Sequence, residues 1–260
     1  MQVIAINCSP NGGRGNTAVI LDPFLAGMRG AGADVELLET RRLRIKPCRG
    51  DFNCWLRTPG KCTQKDDMEW ILPKLREADI MVFATPLYVD GMSGPMKMFL
   101  DRMIPLGLPF IEVRDGHCRH PARYPQLRDG KTALVSNSGF WELDNFDALV
   151  THMEAICRNF GSEFAGALLR PHGGAVRAMR DMGAPIQDVL DAASEAGRQL
   201  VEGGKMRPET LATVSRELLP RDAYLEIANR GFQATLDETE RRRERARVRA
   251  AEKRAVAASG

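Results

Sequence analysis

Apolar and polar residues alternate along this chain between two kinds of segment. Short apolar runs bounded by turn-forming residues predict β-strands at 3–7, 34–38, 80–84, 132–136 and 164–168. Between these runs the apolar positions recur with a helical period and predict helices at 16–29, 67–76, 93–103, 145–159 and 185–201. Because strands and helices alternate, we expect an α/β fold with a parallel sheet covered by helices on both faces.

The first predicted strand runs directly into a loop of small and polar residues that leads into a helix. Small residues let the backbone curl around an anion, and the N–H groups of the helix N-terminus point at the charge. The loop lacks the Gly-Lys-Ser/Thr ending of a nucleoside triphosphatase and the Gly-x-Gly-x-x-Gly of a dinucleotide fold. We therefore expect it to bind a phosphomonoester, although a capped helix without a ligand would use similar residues. The expected ligand residues are Ser9, Arg14, Gly15, Asn16 and Thr17.

Five strands whose first loop binds phosphate predict the strand order 2-1-3-4-5, with the ligand crevice at the carboxyl ends of the strands. The loops that follow the third and fourth strands should therefore lie beside the phosphate loop and hold the rest of the ligand. The residues expected there are Pro86, Leu87, Tyr88, Val89, Asp90, Gly91, Asn137, Ser138 and Gly139. Cations in the loop after the fifth strand, among them Arg170 and Arg177, are either solvated or contacts for an anionic substrate.

Several ordered motifs in roughly residues 1–205 resemble one known family. The segments Ser9-Pro10-Asn11, Gly15-Asn16-Thr17, Thr85-Pro86-Leu87-Tyr88 and Lys97-Met98-Phe99-Leu100-Asp101-Arg102 resemble the NADPH-dependent FMN reductases of the flavodoxin-like proteins. The resemblance implies a flavodoxin-like doubly wound sheet, FMN held by the loops described above, and NAD(P)H as co-substrate. It also implies hydride transfer through flavin N5 to a small acceptor such as a flavin or quinone, so no side chain is assigned as a catalytic acid or base. The alternative is an FMN electron-transfer protein without NAD(P)H turnover.

A second resemblance, to the iron–sulfur flavoproteins, rests on the cysteines after the second strand and on the trailing Lys65-Asp66-Asp67-Met68. In that group the loop reads Cys-x-x-Cys-x-x-Cys, followed by a fourth Cys. Here Cys48, Cys54 and Cys62 match three of the thiolates, and Asp51 stands in place of the second. A carboxylate is a harder ligand than a thiolate, so we expect no stable cluster, and the three cysteines would instead pack as small apolar side chains.

Composition limits the remaining classes. With 260 residues and 43% hydrophobic content the chain can bury a full core. No apolar run approaches the roughly 20 residues that cross a bilayer, and six scattered or loosely clustered cysteines do not form a disulfide pattern. We therefore expect a cytoplasmic protein that does not bind membranes. The net charge of +3 resides wholly in residues 237–260, where interleaved Glu and Arg indicate a salt-bridged helix and argue against a nucleic-acid-binding module.

A change in composition near Gly203-Gly204 divides the chain into an expected FMN-binding domain at 1–204 and a charged helical extension at 205–260. A Pro-rich insert at 104–130 follows a helix, so it should emerge at the edge of the sheet opposite the ligand, unless it folds back or reaches a partner subunit. Its His117, Cys118 and His120 are expected to be structural. Because neither addition belongs to a five-stranded fold, we expect them to support a homo-oligomer, a dimer or tetramer. On the helix at 93–103 we expect Asp101 and Arg102 to form exposed ion pairs.

Overall fold

The computed structural model describes residues 1–258, with side-chain detail at all of these positions except 128 and 252–258. Its contacts divide the chain into two compact units, Met1–Leu218 and the segment from Leu219 onward. The first unit thus extends 14 residues beyond the composition change at Gly204 and takes in one further helix.

The strands, in chain order, are β1 (Gln2–Asn7), β2 (Asp34–Glu39), β3 (Ile80–Tyr88), β4 (Gly91–Met92), β5 (Glu112–Arg114), β6 (His117–Arg119), β7 (Lys131–Asn137) and β8 (Glu163–Arg170). The helices are α1 (Asn16–Gly30), α2 (Asn53–Leu56), α3 (Met68–Glu77), α4 (Gly94–Asp101), α5 (Asp147–Phe160), α6 (Gly173–Asp181), α7 (Gln187–Gly203), α8 (Pro208–Ser215) and α9 (Arg221–Ala258).

The central sheet has the order β2-β1-β3-β7-β8, and neighbouring strands along this path are parallel. This confirms the predicted α/β class and the 2-1-3-4-5 order. All five predicted strands are present, and each is longer than its apolar run. The largest extension is in β3, which continues past Ala84 to Tyr88 and turns back as an antiparallel hairpin with β4.

Two hydrophobic cores cover the two faces of the sheet. Helices α1 and α7 pack on one face around Phe24, and α3, α4 and α5 pack on the other around Phe83 and Phe99. The α1–α7 contact depends on close backbone approach, because a Cβ at Gly27 would lie 1.8 Å from the carbonyl oxygen of Ser194. A Cβ at Gly197 would lie 2.0 Å from that of Phe24. The contact therefore requires glycine at both positions.

The insert between α4 and β7 forms a small hairpin, β5–β6, instead of a plain loop. Arg114 of this hairpin donates to the carbonyl oxygens of Arg158 and Asn159 at the C-terminal end of α5, at 3.0 and 2.9 Å. The same insert also reaches the cysteine loop, where the ring centroids of His120 and Trp55 lie 4.7 Å apart. The insert therefore folds back along the domain, which is one of the alternatives that the sequence left open.

The second unit is α9, a helix of 38 residues. Ion pairs one turn apart, such as Arg230–Glu226 and Arg242–Glu238, stabilise it as the sequence pattern indicates. Several large apolar side chains of this helix are exposed, and they are Leu225, Ile227, Phe232, Leu236 and Val248. Among residues 1–258 we find no helix with the length and apolar character needed to cross a bilayer.

Candidate functional site

The loop after β1 forms a cradle for an anion at the carboxyl edge of the sheet. Ser9 is buried, and its Oγ accepts the N–H of Asn11 at 3.3 Å, which leaves the hydroxyl hydrogen to donate elsewhere. A single turn at Gly12–Arg14 follows, and α1 then begins at Asn16 with Gly15 as its N-cap. No side chain caps this helix terminus, so its first N–H groups face the cradle.

Gly15 is required at the N-cap because of how closely the backbone approaches Ser9. A Cβ at this position would lie 2.6 Å from Oγ of Ser9 and would fill the cradle. The carbonyl oxygen of Gly15 in turn accepts a hydrogen bond of 2.9 Å from Nη2 of Arg177 on α6. The guanidinium of Arg177 therefore lies against the loop and adds positive charge to the helix terminus. Arg14 is exposed at the rim of the same loop.

Thr17 joins the phosphate loop to the loop after β7. Its Oγ1 donates to Oδ1 of Asn137 at 2.6 Å, and both side chains are buried. The only hydroxyl hydrogen of Thr17 is used in this bond, so the expected donation from Thr17 to a phosphate stays a prediction that would require the bond to Asn137 to break. Thr17 and Asn137 hold the two loops together, and Ser9 is the hydroxyl that can donate to an anion.

The loop after β3 is a two-residue hairpin turn with unusual backbone angles. Val89 and Asp90 both have positive φ, 51° and 54°, between the paired residues Tyr88 and Gly91. This arrangement matches a type I′ turn, which Asn-Gly or Gly-Gly sequences usually form. Valine is β-branched and disfavours positive φ, so the turn stores strain of about 1–2 kcal/mol. The turn exposes Tyr88 and Val89 at the carboxyl edge, next to the phosphate loop.

The loop after β7 is held by backbone hydrogen bonds to the end of β8. The N–H of Ser138 donates to the carbonyl oxygen of Arg170, and the N–H of Gly173 donates back to the carbonyl oxygen of Ser138. The Ser138 hydroxyl oxygen accepts the N–H of Phe140 at 2.8 Å. The loop is therefore rigid at its base, while the side chain of Phe140 stays 57% exposed at its tip.

Arg170 does not face the ligand edge as a solvated cation or substrate contact. It is fully buried and donates to the carbonyl oxygens of Val214, in the last turn of α8, and Arg216, the residue after α8, at 2.5 and 2.7 Å. Burial, and then the nearby charge of Arg216, lower its pKa to about 10. The guanidinium thus caps a helix C-terminus and fixes the segment after α7 to the domain.

His172 lies beside Arg170 and is also buried. Its Nε2 accepts the N–H of Leu218 at 3.1 Å and lies 3.1 Å from Nη2 of Arg170. Burial, followed by the charge of Arg170, lowers the pKa of His172 to about 4. The imidazole is therefore neutral at neutral pH and has a structural role.

We expect the pKa of His172 to make the fold sensitive to mild acid. Between pH 6.5 and about 4 the unfolded imidazole binds a proton that the folded one does not, so the free energy of unfolding should fall as the pH is lowered. The loss across this window should be about 3 kcal/mol. Urea unfolding at several pH values measures it. His172→Gln should flatten this dependence, and the exposed His152→Gln should leave it unchanged. Equal slopes in all three proteins would contradict the assignment.

The cysteine loop packs against the C-terminal end of α4. Cys48, Cys54 and Cys62 line one small cavity there, together with Asp51 and Arg102. Burial and the proximity of the other two cysteines raise the pKa of Cys54. The carboxylate of Asp51 accepts the N–H of Asn53 at 3.0 Å and so closes a local turn. Within the described part of the chain, no group of three or more His, Cys, Asp or Glu side chains is arranged to hold a metal ion.

Arg102 anchors this loop from the inside of the domain. Its guanidinium binds both carboxylate oxygens of Asp66, at 2.6 and 3.0 Å, and both side chains are 1% exposed. It also donates to Sγ of Cys62 at 3.5 Å. Burial alone would raise the pKa of Asp66, but the hydrogen bonds from Arg102 and the backbone of Lys46 lower it. The expectation of an exposed ion pair is therefore correct for Lys97–Asp101 and wrong for Arg102.

Comparisons with known proteins agree with this fold. The family model of the NADPH-dependent FMN reductases matches residues 1–136, slightly more than half of the chain. An iron–sulfur flavoprotein of Archaeoglobus fulgidus is 35% identical over 102 residues, which are 39% of this chain and 48% of the relative. An FMN-dependent NADH:quinone oxidoreductase of Pseudomonas fluorescens is 27% identical over 54% of this chain and 69% of the relative. The chain spans about half the length of the first curated relatives it matches.

Among solved structures, an azoreductase of Bacillus anthracis aligns with a TM-score of 0.56 and 15% identity. The alignment covers 76% of this chain and 99% of that protein. At this identity the likeness confirms the flavodoxin-like fold alone.

Proposed function

Because the chain belongs to the NADPH-dependent FMN reductase family, we propose that it binds FMN and uses NAD(P)H to reduce a small organic acceptor. The observation that carries this proposal is the cradle after β1. It joins an uncapped helix terminus, the free hydroxyl hydrogen of Ser9 and the guanidinium of Arg177 at one anion-sized position. Such a position suits a single terminal phosphate.

The residues around the cradle fit the rest of FMN. Gly15 leaves the space that a side chain would fill, and Nδ2 of the buried Asn7 has no hydrogen-bond partner in the described structure. The hairpin turn at Val89-Asp90 and the loop at Ser138-Gly139 follow neighbouring strands, so they would contact opposite parts of the isoalloxazine ring. The exposed ring of Tyr88 is the side chain best placed to stack on it.

When bound, FMN supplies hydride exchange with the nicotinamide at N5, and the chain positions the reactants. The rigid base of the loop after β7 and the Thr17–Asn137 hydrogen bond would fix the ring relative to the phosphate. The buried neutral His172 holds Leu218 and does not act as an acid or base. We propose that the acceptor exchanges protons with solvent. The side chains at this edge, Tyr88, Val89 and Phe140, are exposed, so water can reach the site.

The acceptor we propose is a planar apolar molecule such as a quinone, an azo compound or free flavin. Exposed apolar and aromatic side chains border the crevice on two sides, and they are Tyr88, Val89, Phe140 and Leu143. Such surfaces stack flat rings more readily than they bind charged or branched acceptors. We expect the reaction to take place in the cytoplasm, where NAD(P)H is available.

Steady-state assays with FMN-loaded protein test this function. We expect NADPH or NADH oxidation that depends on a quinone or azo dye and that saturates with the acceptor. The rival electron-carrier function predicts slow nicotinamide oxidation with every small acceptor and rapid exchange only with one-electron protein partners. That second pattern would overturn the proposal.

We expect the cysteine loop to hold no stable four-iron cluster in the native chain. Asp51 stands at one ligand position, and its carboxylate is engaged with the N–H of Asn53. Asp51→Cys, reconstituted anaerobically with iron and sulfide, should gain iron, sulfide and a broad visible band. Asp51→Ser tests whether removal of the carboxylate alone allows a cluster to form, and we expect this variant to gain neither iron nor sulfide. If the wild-type protein already binds nearly a full cluster, this prediction is wrong.

We also propose that the chain forms a homo-oligomer through exposed apolar side chains outside the five-stranded fold. One group, on α9, comprises Leu225, Ile227, Phe232 and Leu236, and a second, on the insert, comprises Phe110, Ile111 and Val113. Leu225, Phe232 and Leu236 recur at helical spacing on one face of α9, and an exposed apolar face of this kind is typical of protein interfaces.

Removal of residues 219–260 should lower the number of chains in the sedimenting species. Truncation after Leu218 is the appropriate cut, because α8 and its contacts to Arg170 belong to the first unit. Replacing the four apolar side chains of α9 with Gln should mimic the truncation, whereas Gln at four exposed polar positions of α9 should not. Sedimentation velocity measures the result, and a monomeric full-length chain would contradict it.

A further inference from the structure

Cys62 lies on the wall between two cavities of the first unit. One is the small cavity that it lines together with Cys48 and Cys54. The other, which we call the α3 pocket, has a volume of 580 Å³ and is bordered by the turn at 58–61, by α3 and by Tyr124 of the insert. This volume is sufficient for a small organic molecule. Cys62 therefore connects the cysteine loop to a possible ligand site.

The segment between Cys54 and Cys62 is a turn closed by its own hydrogen bonds. The carbonyl oxygen of Cys54 accepts the N–H of Gly60 at 2.9 Å. Gly60 has a φ of 80°, and a Cβ there would lie 3.0 Å from the hydroxyl oxygen of Tyr124. The turn thus brings its two ends together, and both sulfurs line the same small cavity as free thiols.

Arg102 places a hydrogen-bond donor on the sulfur of Cys62. Its Nη2 donates to Sγ at 3.5 Å, while the carboxylate of Asp66 holds the guanidinium in position. The charge of Asp66 offsets that of Arg102, so the effect on the sulfur comes from the N–H itself. A donor at this position orients the sulfur and stabilises the negative charge of an attacking thiolate.

Two cations at the rim of the α3 pocket are balanced by carboxylates. Lys65 pairs with Glu69 at 3.1 Å, and Arg76 pairs with Glu77 at 2.7 Å. The guanidinium of Arg76 also lies over the ring of Tyr124, 5.0 Å from its centroid. These four charged side chains therefore contribute little net charge to the pocket.

Two further cations have no ion pair within the described part of the chain. Lys61 is exposed at the edge of the pocket. Arg123 lies behind the turn, where a Cβ at Gly60 would be 3.1 Å from its Cδ, and its Nη2 is buried without a hydrogen-bond partner. The pocket thus has a net positive charge and favours an anionic ligand.

We propose that Cys62 exchanges with a small anionic disulfide bound in the α3 pocket, and that Cys54 completes the reaction. The Cys62 thiolate attacks one sulfur of the ligand, a mixed disulfide forms, and half of the ligand leaves as a thiolate. Cys54 then loses its proton, attacks the Cys62 sulfur and expels the other half. Two protein thiols and one small disulfide thus become one protein disulfide and two small thiols, so the ligand is the oxidant.

Mass spectrometry of the reduced full-length protein, treated anaerobically with dithiodipropionate, tests this inference. We expect an adduct of half the reagent at Cys62 that decays into a disulfide between Cys54 and Cys62. Cys54→Ser should keep the adduct, and Cys62→Ser should form neither product in this loop. An internal disulfide in Cys62→Ser, or one that uses Cys48 in Cys54→Ser, would overturn the assigned roles.

The matched control is Cys118→Ser, which removes an exposed thiol on β6, outside the cysteine loop. It should leave the rate of adduct formation at Cys62 unchanged. Each variant must retain the melting temperature of the wild type. Iron bound by the cysteine loop of the untreated protein would overturn the inference, because the thiols would then not be free.

Three small disulfides of different charge test the role of the pocket. We expect Cys62 to react about tenfold faster with anionic dithiodipropionate than with neutral hydroxyethyl disulfide, and most slowly with cationic cystamine. Lys61→Gln should reduce this preference. Equal rates for the three reagents at Cys62, or a rate with dithiodipropionate no faster than at the exposed Cys118, would overturn the proposal.

Discussion

Replacing Ser9 with alanine should weaken FMN binding about 10- to 100-fold and leave riboflavin binding unchanged. The Ser9 hydroxyl is buried at the cradle and has its hydrogen free, because its oxygen already accepts the N–H of Asn11. Loss of one hydrogen bond to a charged phosphate costs about 1.5–3 kcal/mol. Riboflavin has no phosphate and should not sense the change. Titration by flavin fluorescence quenching measures both affinities.

Two further variants separate the phosphate contact from general damage to the site. Thr17→Val should weaken FMN and riboflavin to a similar extent, because Thr17 positions Asn137 through its hydroxyl. Ser194→Ala on α7 should affect neither ligand. Equal losses for FMN and riboflavin in Ser9→Ala would refute the role of Ser9 as the phosphate donor.

Replacing Arg102 with methionine should lower the free energy of unfolding by about 3–5 kcal/mol. The carboxylate of Asp66 would then stay buried without its cation, and breaking a buried ion pair by removal of one partner is strongly destabilising. The contribution of the pair should be complete above about pH 4 and lost as the pH falls through the lowered pKa of Asp66. Urea unfolding at neutral and acidic pH tests both statements.

A neighbouring ion pair provides the matched control for Arg102. Lys97 pairs with Asp101 one turn earlier on α4, at 2.6 Å, but the two side chains are 51% and 43% exposed. Lys97→Met should therefore cost about 0.5 kcal/mol or less. The double variant Asp66→Leu with Arg102→Met should recover part of the stability, because no unpaired charge remains. Similar losses for Arg102→Met and Lys97→Met would mean that burial does not set the energy of the pair.

The sheet and the loop of small residues after β1 could be predicted from the sequence because local patterns specify them. Apolar runs and helical periods determined five strands and their order, and the small residues between Ser9 and Thr17 marked the cradle. The turn at Val89-Asp90 was different, because its sequence carries no glycine at the positions with positive φ. Pairing of β3 with β4 imposes these angles, and single-residue preferences oppose them.

Buried charges were the main features that local patterns could not locate. Arg102 contacts Asp66 from 36 positions away, and Arg170 contacts Val214 from 44 positions away. In the sequence both arginines look like exposed surface residues. Only the fold brings a distant acceptor into contact with each of them. The hydrogen bond from the N–H of Gly13 to Glu39, at the end of β2, was missed for the same reason, since it spans 26 positions.

Single-turnover reduction of the FMN-loaded protein under anaerobic conditions tests the central claim most directly. The protein is mixed rapidly with NADPH or NADH, and with the same nucleotides deuterated at nicotinamide C4. We expect the visible flavin absorbance to bleach with at least one nucleotide, and the bleaching to slow when the transferred hydrogen is deuterium. Bound FMN that neither nucleotide reduces would contradict the account and identify the chain as an electron carrier.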